Sequence, residues 1–151
     1  MMTEKMEIKI HETFPQPKET FFALMEKVDG LFAPPISEAT DLEVYSDKLY
    51  TRASFVICRN GNEITAFTAF YKNREAKQLY ISLICVDKSF QRQGLGKQML
   101  DMLSGLKAEG FESIGLEVVK TNISAYNFYK KYGFVEQEDR GLKFLMVKNI
   151  L

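Results

Sequence analysis

Apolar positions along the chain change their period repeatedly, and each change marks an element. Residues 6–12 alternate, with Ile8 and Ile10 on one face, and predict a first strand. After Pro15 and Pro17, the residues Phe21, Phe22, Leu24, Met25 and Val28 fall at helical spacing, predicting a helix over 19–28 that Asp29-Gly30 closes. The stretch 31–40, with Pro34-Pro35 inside it, reads as irregular backbone. Asp41 can then cap a second helix that turns Leu42, Tyr45 and Leu49 toward the core.

Strand patterns dominate the middle of the chain. Residues 53–59 and 63–71 read as two strands, and Asn60-Gly61 between them is a strong hairpin signal, because a type I′ turn needs positive φ at both central residues. A polar turn over 72–77 leads to a strand over 79–86 whose Ile81, Leu83, Ile84, Cys85 and Val86 are apolar on both faces, so it belongs in the middle of a sheet. Next comes an amphipathic helix with Leu95, Met99, Met102, Leu103 and Leu106 on one stripe, ended by Gly110. A further strand over 113–119 completes the order that builds a right-handed parallel βαβ unit. Asn122 starts another helix, with Ala125, Phe128, Tyr129 and Tyr132 on its stripe and Gly133 as its stop, and strands over 134–137 and 143–149 finish the chain.

Composition narrows the classes of function. The 151 residues suit one domain spanning 1–151, without linker, repeat or low-complexity segment. Twenty basic and twenty acidic side chains are scattered to a formal net charge of zero, which leaves no electrostatic footprint for nucleic acid or an anionic membrane. No apolar run approaches the ~20 residues needed to cross a bilayer, and MMTEKMEIKI lacks the order of a signal peptide, so a cytoplasmic location is expected. Cys58 and Cys85 sit in apolar strand patterns, as buried thiols do, and a single histidine, His11, is too little for a zinc site.

The candidate chemistry centres on residues 80–103. Gly94 and Gly96 lie where a strand-to-helix connection leaves several backbone N–H groups unpaired, either an anion cradle or simply a tight corner. A P-loop would need Ser or Thr after Lys97, where Gln98 stands, and a dinucleotide fingerprint would need a glycine at Met99.

The fuller pattern Gln91-Arg92-Gln93-Gly94-Leu95-Gly96, after a strand ending Cys85-Val86-Asp87, resembles the acyl-CoA-binding motif of the GNAT acetyltransferase superfamily. A second stretch, Asn122-Ile123-Ser124-Ala125-Tyr126-Asn127-Phe128-Tyr129-Lys130-Lys131-Tyr132-Gly133-Phe134, resembles that family's later signature, at the usual distance. The resemblance covers residues from Ala53 to the C-terminus. It implies an α/β (α+β) GNAT fold, with a mixed, mostly antiparallel twisted sheet of six to seven strands, about four flanking helices and a splayed parallel central pair. Homodimers are frequent in the family.

By this resemblance the turn from Gln91 through Lys97 wraps the diphosphate of acetyl-CoA with backbone N–H groups, Arg92 and Lys97 adding charge. Ile84, Cys85 and Val86 correspond to a bulged strand whose main chain holds the pantetheine, with the Val86 N–H as a one-donor oxyanion site. Asn122 corresponds to a cofactor contact, and it can equally be a helix N-cap. Tyr129 corresponds to the tyrosine that protonates the departing thiolate, a nearly balanced transfer at an ordinary phenol pKa of ~10; without the resemblance it reads as a core tyrosine. Many relatives carry a glutamate before the glycine turn, but Leu79-Tyr80-Ile81-Ser82 holds no carboxylate. Glu117 resembles instead the glutamate that peptide N-terminal acetyltransferases place on the following strand, a base if its pKa is raised among apolar neighbours and otherwise a solvated or ion-paired residue.

Cys85 has no histidine beside it to make a thiolate, so direct attack by the amine in a ternary complex is expected over a ping-pong route. The resemblance implies a small-molecule or peptide amine as acceptor, selected by residues 31–52 and the late hairpin at 136–143. Phe32, Glu38, Asp41, Glu43 and Tyr45 suit a cationic amine. The alternative from another class is a non-catalytic acyl-CoA-binding module that keeps the cradle and lacks turnover.

Overall fold

The computed structural model describes residues 6–151; the first five residues, part of the leader-free reading above, lie outside them. Seven strands, β1 (Met6–His11), β2 (Ser54–Asn60), β3 (Glu63–Asn73), β4 (Gln78–Val86), β5 (Ser113–Val119), β6 (Val135–Asp139) and β7 (Lys143–Asn149), form one twisted sheet. Their order is β1-β2-β3-β4-β5-β7-β6, and every neighbouring pair is antiparallel except β4 with β5. Among the described residues the α-helices are α1 (Lys18–Asp29), α2 (Ile36–Ala39), α3 (Leu42–Arg52), α4 (Leu95–Ser104) and α5 (Ile123–Lys131). Among the described residues, no helix is long and apolar enough to cross a membrane.

Alternation along the strands feeds two cores, one on each face. Phe55 and Ile57 of β2 and Phe67 and Ala69 of β3 meet Phe21, Met25 and Leu49 from α1 and α3. Phe21 lies edge-on to Phe55 and Phe67 at ring distances of 5.4 and 6.2 Å, so one phenylalanine ties α1 to two strands. On the other face Val56, Cys58, Ala66 and Phe70 meet Leu95, Met99, Leu100 and Leu103 of α4 together with Tyr129 and Phe134. Full burial of such side chains contributes roughly 1.5–3 kcal/mol each, which is why the two faces, rather than helix propensity, hold α1, α3 and α4 in place.

Local signals set the helix ends. The Asp41 carboxylate accepts from the Val44 N–H at 3.0 Å and caps α3. Gly133 takes φ +95° just past α5, a conformation that stops the helix at little cost. The stretch expected to be irregular contains the one-turn helix α2, tied back to α1 by Ser37, whose N–H and hydroxyl donate to Asp29 at 2.8 and 2.6 Å.

Three further expectations need correction. Asn60 pairs with Glu63, so the central turn residues are Gly61 and Asn62, not Asn60 and Gly61. Only Gly61 is at positive φ (+63°), as in a type II′ turn; the ladder also shifts at Cys58/Arg59, where Thr65 is an extra residue on β3. Regular α4 stops at Ser104, and a 3-10 segment carries the chain on to Gly110. Its buried stripe holds Leu100 in place of Met102, which is half-buried.

Candidate active site

The site begins where two parallel strands part. β4 and β5 pair only from Gln78/Ser113 to Ile81/Leu116. Beyond that β5 stays with β7 as far as Val119, β4 stays with β3 as far as Val86, and a gap opens between them. The splay that the family resemblance implies is therefore present.

The bulge is also present, but earlier than Ile84–Val86. Ala69 faces Leu83 and Phe70 faces Ile81, so Ser82 is the extra residue on β4. It reverses the faces: Leu79 and Ile81 belong to the core under α4, whereas Leu83 and Cys85 belong to the core under α1 and α3. The Asp87 N–H donates to the Thr65 carbonyl at 2.8 Å, which makes Ala66/Val86 and Thr68/Ile84 non-hydrogen-bonded pairs. By alternation the main-chain groups of Ile84 and Val86 point away from β3, into the gap. The Gln91 side chain donates to the Val86 carbonyl at 3.2 Å, leaving the Val86 N–H toward the opening.

At the far end of the gap the chain turns into α4. Arg92 and Gly94 both adopt left-handed backbone, at φ +65° and +78°. The first intrahelical bond runs from the Gln98 N–H to the Gly94 carbonyl at 3.0 Å, so the N–H groups of Leu95, Gly96 and Lys97 have no acceptor inside the helix. A Cβ at Gly94 would meet nothing within 4 Å, whereas at Gly96 it would lie 3.0 Å from the Phe128 ring. The two glycines thus do different work: Gly94 makes the turn, and Gly96 admits an aromatic ring from α5.

A groove of about 690 Å³ joins these parts. It is lined by Ile84, Cys85 and Val86, by Gln91, Arg92, Gly94, Leu95, Gly96 and Lys97, and by Asn122 and Tyr129. Eleven of the residues expected around the cofactor thus converge on one surface. Gln93 does not line it. The Lys97 ammonium is 2.8 Å from Asp101, one helical turn on.

Tyr129 is 8% exposed at the groove wall, with Phe128 and Phe134 edge-on at 5.3 and 5.5 Å. Burial pushes its phenol well above the ordinary tyrosine value, so the balanced proton transfer expected from an unperturbed phenol does not describe this site. The side-chain oxygen of Asn122 accepts from the Ala125 N–H at 3.2 Å, making the helix cap, while the residue also borders the groove. Burial raises the Cys85 thiol to about 12, which removes it as a thiolate nucleophile near neutrality.

Glu117 lies outside the groove, on the sheet face away from α4, just past the last β4–β5 pair. Its carboxylate is not isolated among apolar residues: Arg140, from the loop between β6 and β7, donates to it at 3.2 Å and to Glu138 at 3.3 Å. Burial, reinforced by the Glu117 carboxylate, raises the neighbouring Tyr80 phenol. Tyr45, read from sequence as part of an amine-recognition surface, instead reaches Ser82 on β4, 2.7 Å from its hydroxyl.

Sequence reasoning did not place Phe90, Ser124, Phe128 and Tyr132 on the groove, although the last three belong to the stretch singled out at Asn122 to Phe134. Leu31 and Phe32, from the stretch expected to select the acceptor, also border it. Nothing in their local pattern announces this. Among the described residues, no group of three or more His, Cys, Asp or Glu side chains could hold a metal ion.

Comparison with known proteins places this architecture. Residues 19–134 match the sequence model of the acetyltransferase (GNAT) family. A protein from Pyrococcus horikoshii OT3 superposes with a TM-score of 0.75 at 24% identity, over 95% of this chain and 98% of its own. The ribosomal-protein-S18-alanine N-acetyltransferase of Escherichia coli gives 0.71 at 21% identity, over 95% and 94%. A GNAT family acetyltransferase from Elizabethkingia anophelis, solved with acetyl-CoA bound, gives 0.67 at 18% identity, over 95% and 97%.

Proposed function

The chain belongs to the acetyltransferase (GNAT) family, and on that premise we propose that it transfers an acetyl group from acetyl-CoA to a primary amine by direct attack in a ternary complex. One observation carries the reading: a single groove joins the free edge of β4, the Gly94 turn and Tyr129. Acetyl-CoA supplies the acetyl group activated as a thioester. The residues fit it, since the open space at Gly94 and the unpaired N–H groups of Leu95, Gly96 and Lys97 suit a diphosphate. The edge of Ile84 and Val86 offers amide partners to an extended pantetheine, much as a sheet edge accepts an added strand.

In this reading the Val86 N–H donates to the thioester oxygen as negative charge develops there. As the C–S bond breaks, Tyr129 gives its phenol proton to the sulfur and regains one from the attached nitrogen, which loses it in becoming the amide; because burial raises the phenol, it stays protonated until the sulfur carries negative charge. The amine must arrive neutral, although an alkylammonium loses its proton only near ~10.4. Glu117, beside the opening on the opposite face, takes that proton directly or through water.

The test follows free thiol released from acetyl-CoA across a panel of primary amines, for the parent and Tyr129→Phe. Turnover by the parent, and a kcat about 10²–10⁴-fold lower in the variant with CoA affinity retained, are expected. Tight CoA binding with no thiol release on any amine would replace the enzyme with a binding module.

A further inference from the structure

β4 carries one residue more than β3 requires, and the consequence reaches beyond Ser82 itself. In an antiparallel ladder, side-chain face and amide direction alternate together. If β4 continued past Phe70/Ile81 in register, with Ser82 paired instead of bulged, Leu83 and Cys85 would turn their amides into the gap, and Ile84 and Val86 would be locked into the ladder with β3. Their side chains would change faces as well, bringing Ile84 and Val86 under α1 and α3 and taking Leu83 and Cys85 out of that core. The bulge therefore decides which backbone donors the groove receives.

Nothing in the strand's own chemistry holds it there. Ser82 has neither the backbone freedom of glycine nor the missing donor of proline, the usual local reasons for a break in a ladder. The support comes from α3. The Tyr45 hydroxyl donates to the Ser82 carbonyl at 3.2 Å and lies 2.7 Å from the Ser82 hydroxyl, which can donate back to it. The carbonyl and the hydroxyl of the extra residue are thus both held by one phenol, across a sequence separation of 37 residues. Tyr45 stands on a helix anchored by the Asp41 cap and by fully buried Leu49, and it does not line the groove.

We infer that Tyr45 is a positioning residue for acyl transfer: by pinning the Ser82 bulge from the opposite face of the sheet, it sets the Ile84 and Val86 amides toward the thioester. The inference rests on the reading proposed above, in which the Val86 N–H meets the thioester oxygen. Its effect belongs to the reacting end of the cofactor, since the diphosphate is gripped by another element, the start of α4.

Tyr45→Phe keeps the ring and removes the hydroxyl. Tyr50→Phe is the control, because the Tyr50 hydroxyl donates to the Gln16 carbonyl at 2.9 Å from the same helix and is remote from the bulge. Kinetics with a turned-over amine, CoA affinity by calorimetry, and amide chemical shifts of the full-length protein are measured for each. Tyr45→Phe is expected to lower kcat roughly tenfold with CoA affinity within a factor of about two, and to move the amide resonances of Leu83 to Val86. Tyr50→Phe should do neither. An unchanged kcat in Tyr45→Phe, an equal loss in Tyr50→Phe, or unmoved Leu83–Val86 resonances would each overturn the inference. If the parent acetylates no amine, the proposed function fails instead, and the resonances alone still decide whether Tyr45 holds the bulge.

Discussion

Gly96→Ala separates the two jobs that a glycine-rich turn can have. An added Cβ would lie 3.0 Å from Cζ of Phe128 and 3.6 and 3.8 Å from its two Cε atoms. Carbon pairs rest at about 3.5–4.0 Å, so the ring must withdraw by roughly half an ångström. Such overpacking costs about 1–3 kcal/mol, and the better helix propensity of alanine returns up to ~1 kcal/mol. The net loss is then about 0–3 kcal/mol, readable as a shifted urea midpoint. Binding should suffer more than stability, because the displaced ring borders the groove and touches Tyr129 and Tyr132 at 5.3 and 4.9 Å. CoA affinity by calorimetry is expected to fall about tenfold or more, and Phe128→Leu placed in the same chain should recover much of the stability by freeing space. Gly94→Ala is a different experiment, with no atom to collide with and only the left-handed backbone at φ +78° to strain, at about 1–2 kcal/mol. A Gly96→Ala protein that gains stability and binds CoA like the parent would refute this packing account.

Two other outcomes follow from the site. Glu117→Gln should lower kcat roughly 10²-fold while Arg140→Ala leaves it within a few-fold, and both should unfold within about 1 kcal/mol of the parent because their ion pair is still reached by solvent; equal activity losses would leave Glu117 only a partner for Arg140. Burial raises the Cys58 thiol to about 11 and Cys85 to about 12, so the folded chain keeps two protons that the unfolded chain releases from about pH 8.5. Their contribution is complete below that pH and is lost as pH rises toward 11–12, so urea midpoints measured between pH 8 and 10.5 should fall more steeply for the parent than for a Cys58→Ala/Cys85→Ala variant, and parallel slopes would contradict it.

The elements were legible wherever a side-chain period persists for two turns or a few strand residues. Ser113 to Val119 and Lys143 to Asn149 are found where alternation and apolar runs put them, and Asn122 caps the helix it was expected to start. Readings failed where one inserted or shifted residue changes the phase. Thr65 is inserted in β3 opposite the Cys58/Arg59 step, which no residue type announces, and Asn60 takes the last ladder place, opposite Glu63, where the turn was expected. Ser82 is likewise inserted within β4, and the unbroken apolar run from Leu83 to Val86 concealed the change, since either phase buries an apolar side chain on each face.

This explains why the candidate site was legible only in part. The part that was legible is written in glycines, a capping asparagine and a tyrosine, residue types whose special backbone or polar chemistry shows through a sequence. In the proposed reading its reacting end also depends on main-chain groups of Ile84 and Val86, whose side chains say only that they are apolar. Which amide faces the gap depends on the phase of the strand, and that phase depends on a phenol from α3, 37 positions earlier in the chain. A local pattern cannot carry a dependence of that length. Phe32 follows the same logic, because it borders the groove through a loop that Ser37 ties back to Asp29, and only the tertiary structure brings that loop to the end of β4. In this fold the chemistry that depends on side-chain identity can be read along the chain, whereas the chemistry that depends on backbone phase has to be read across it.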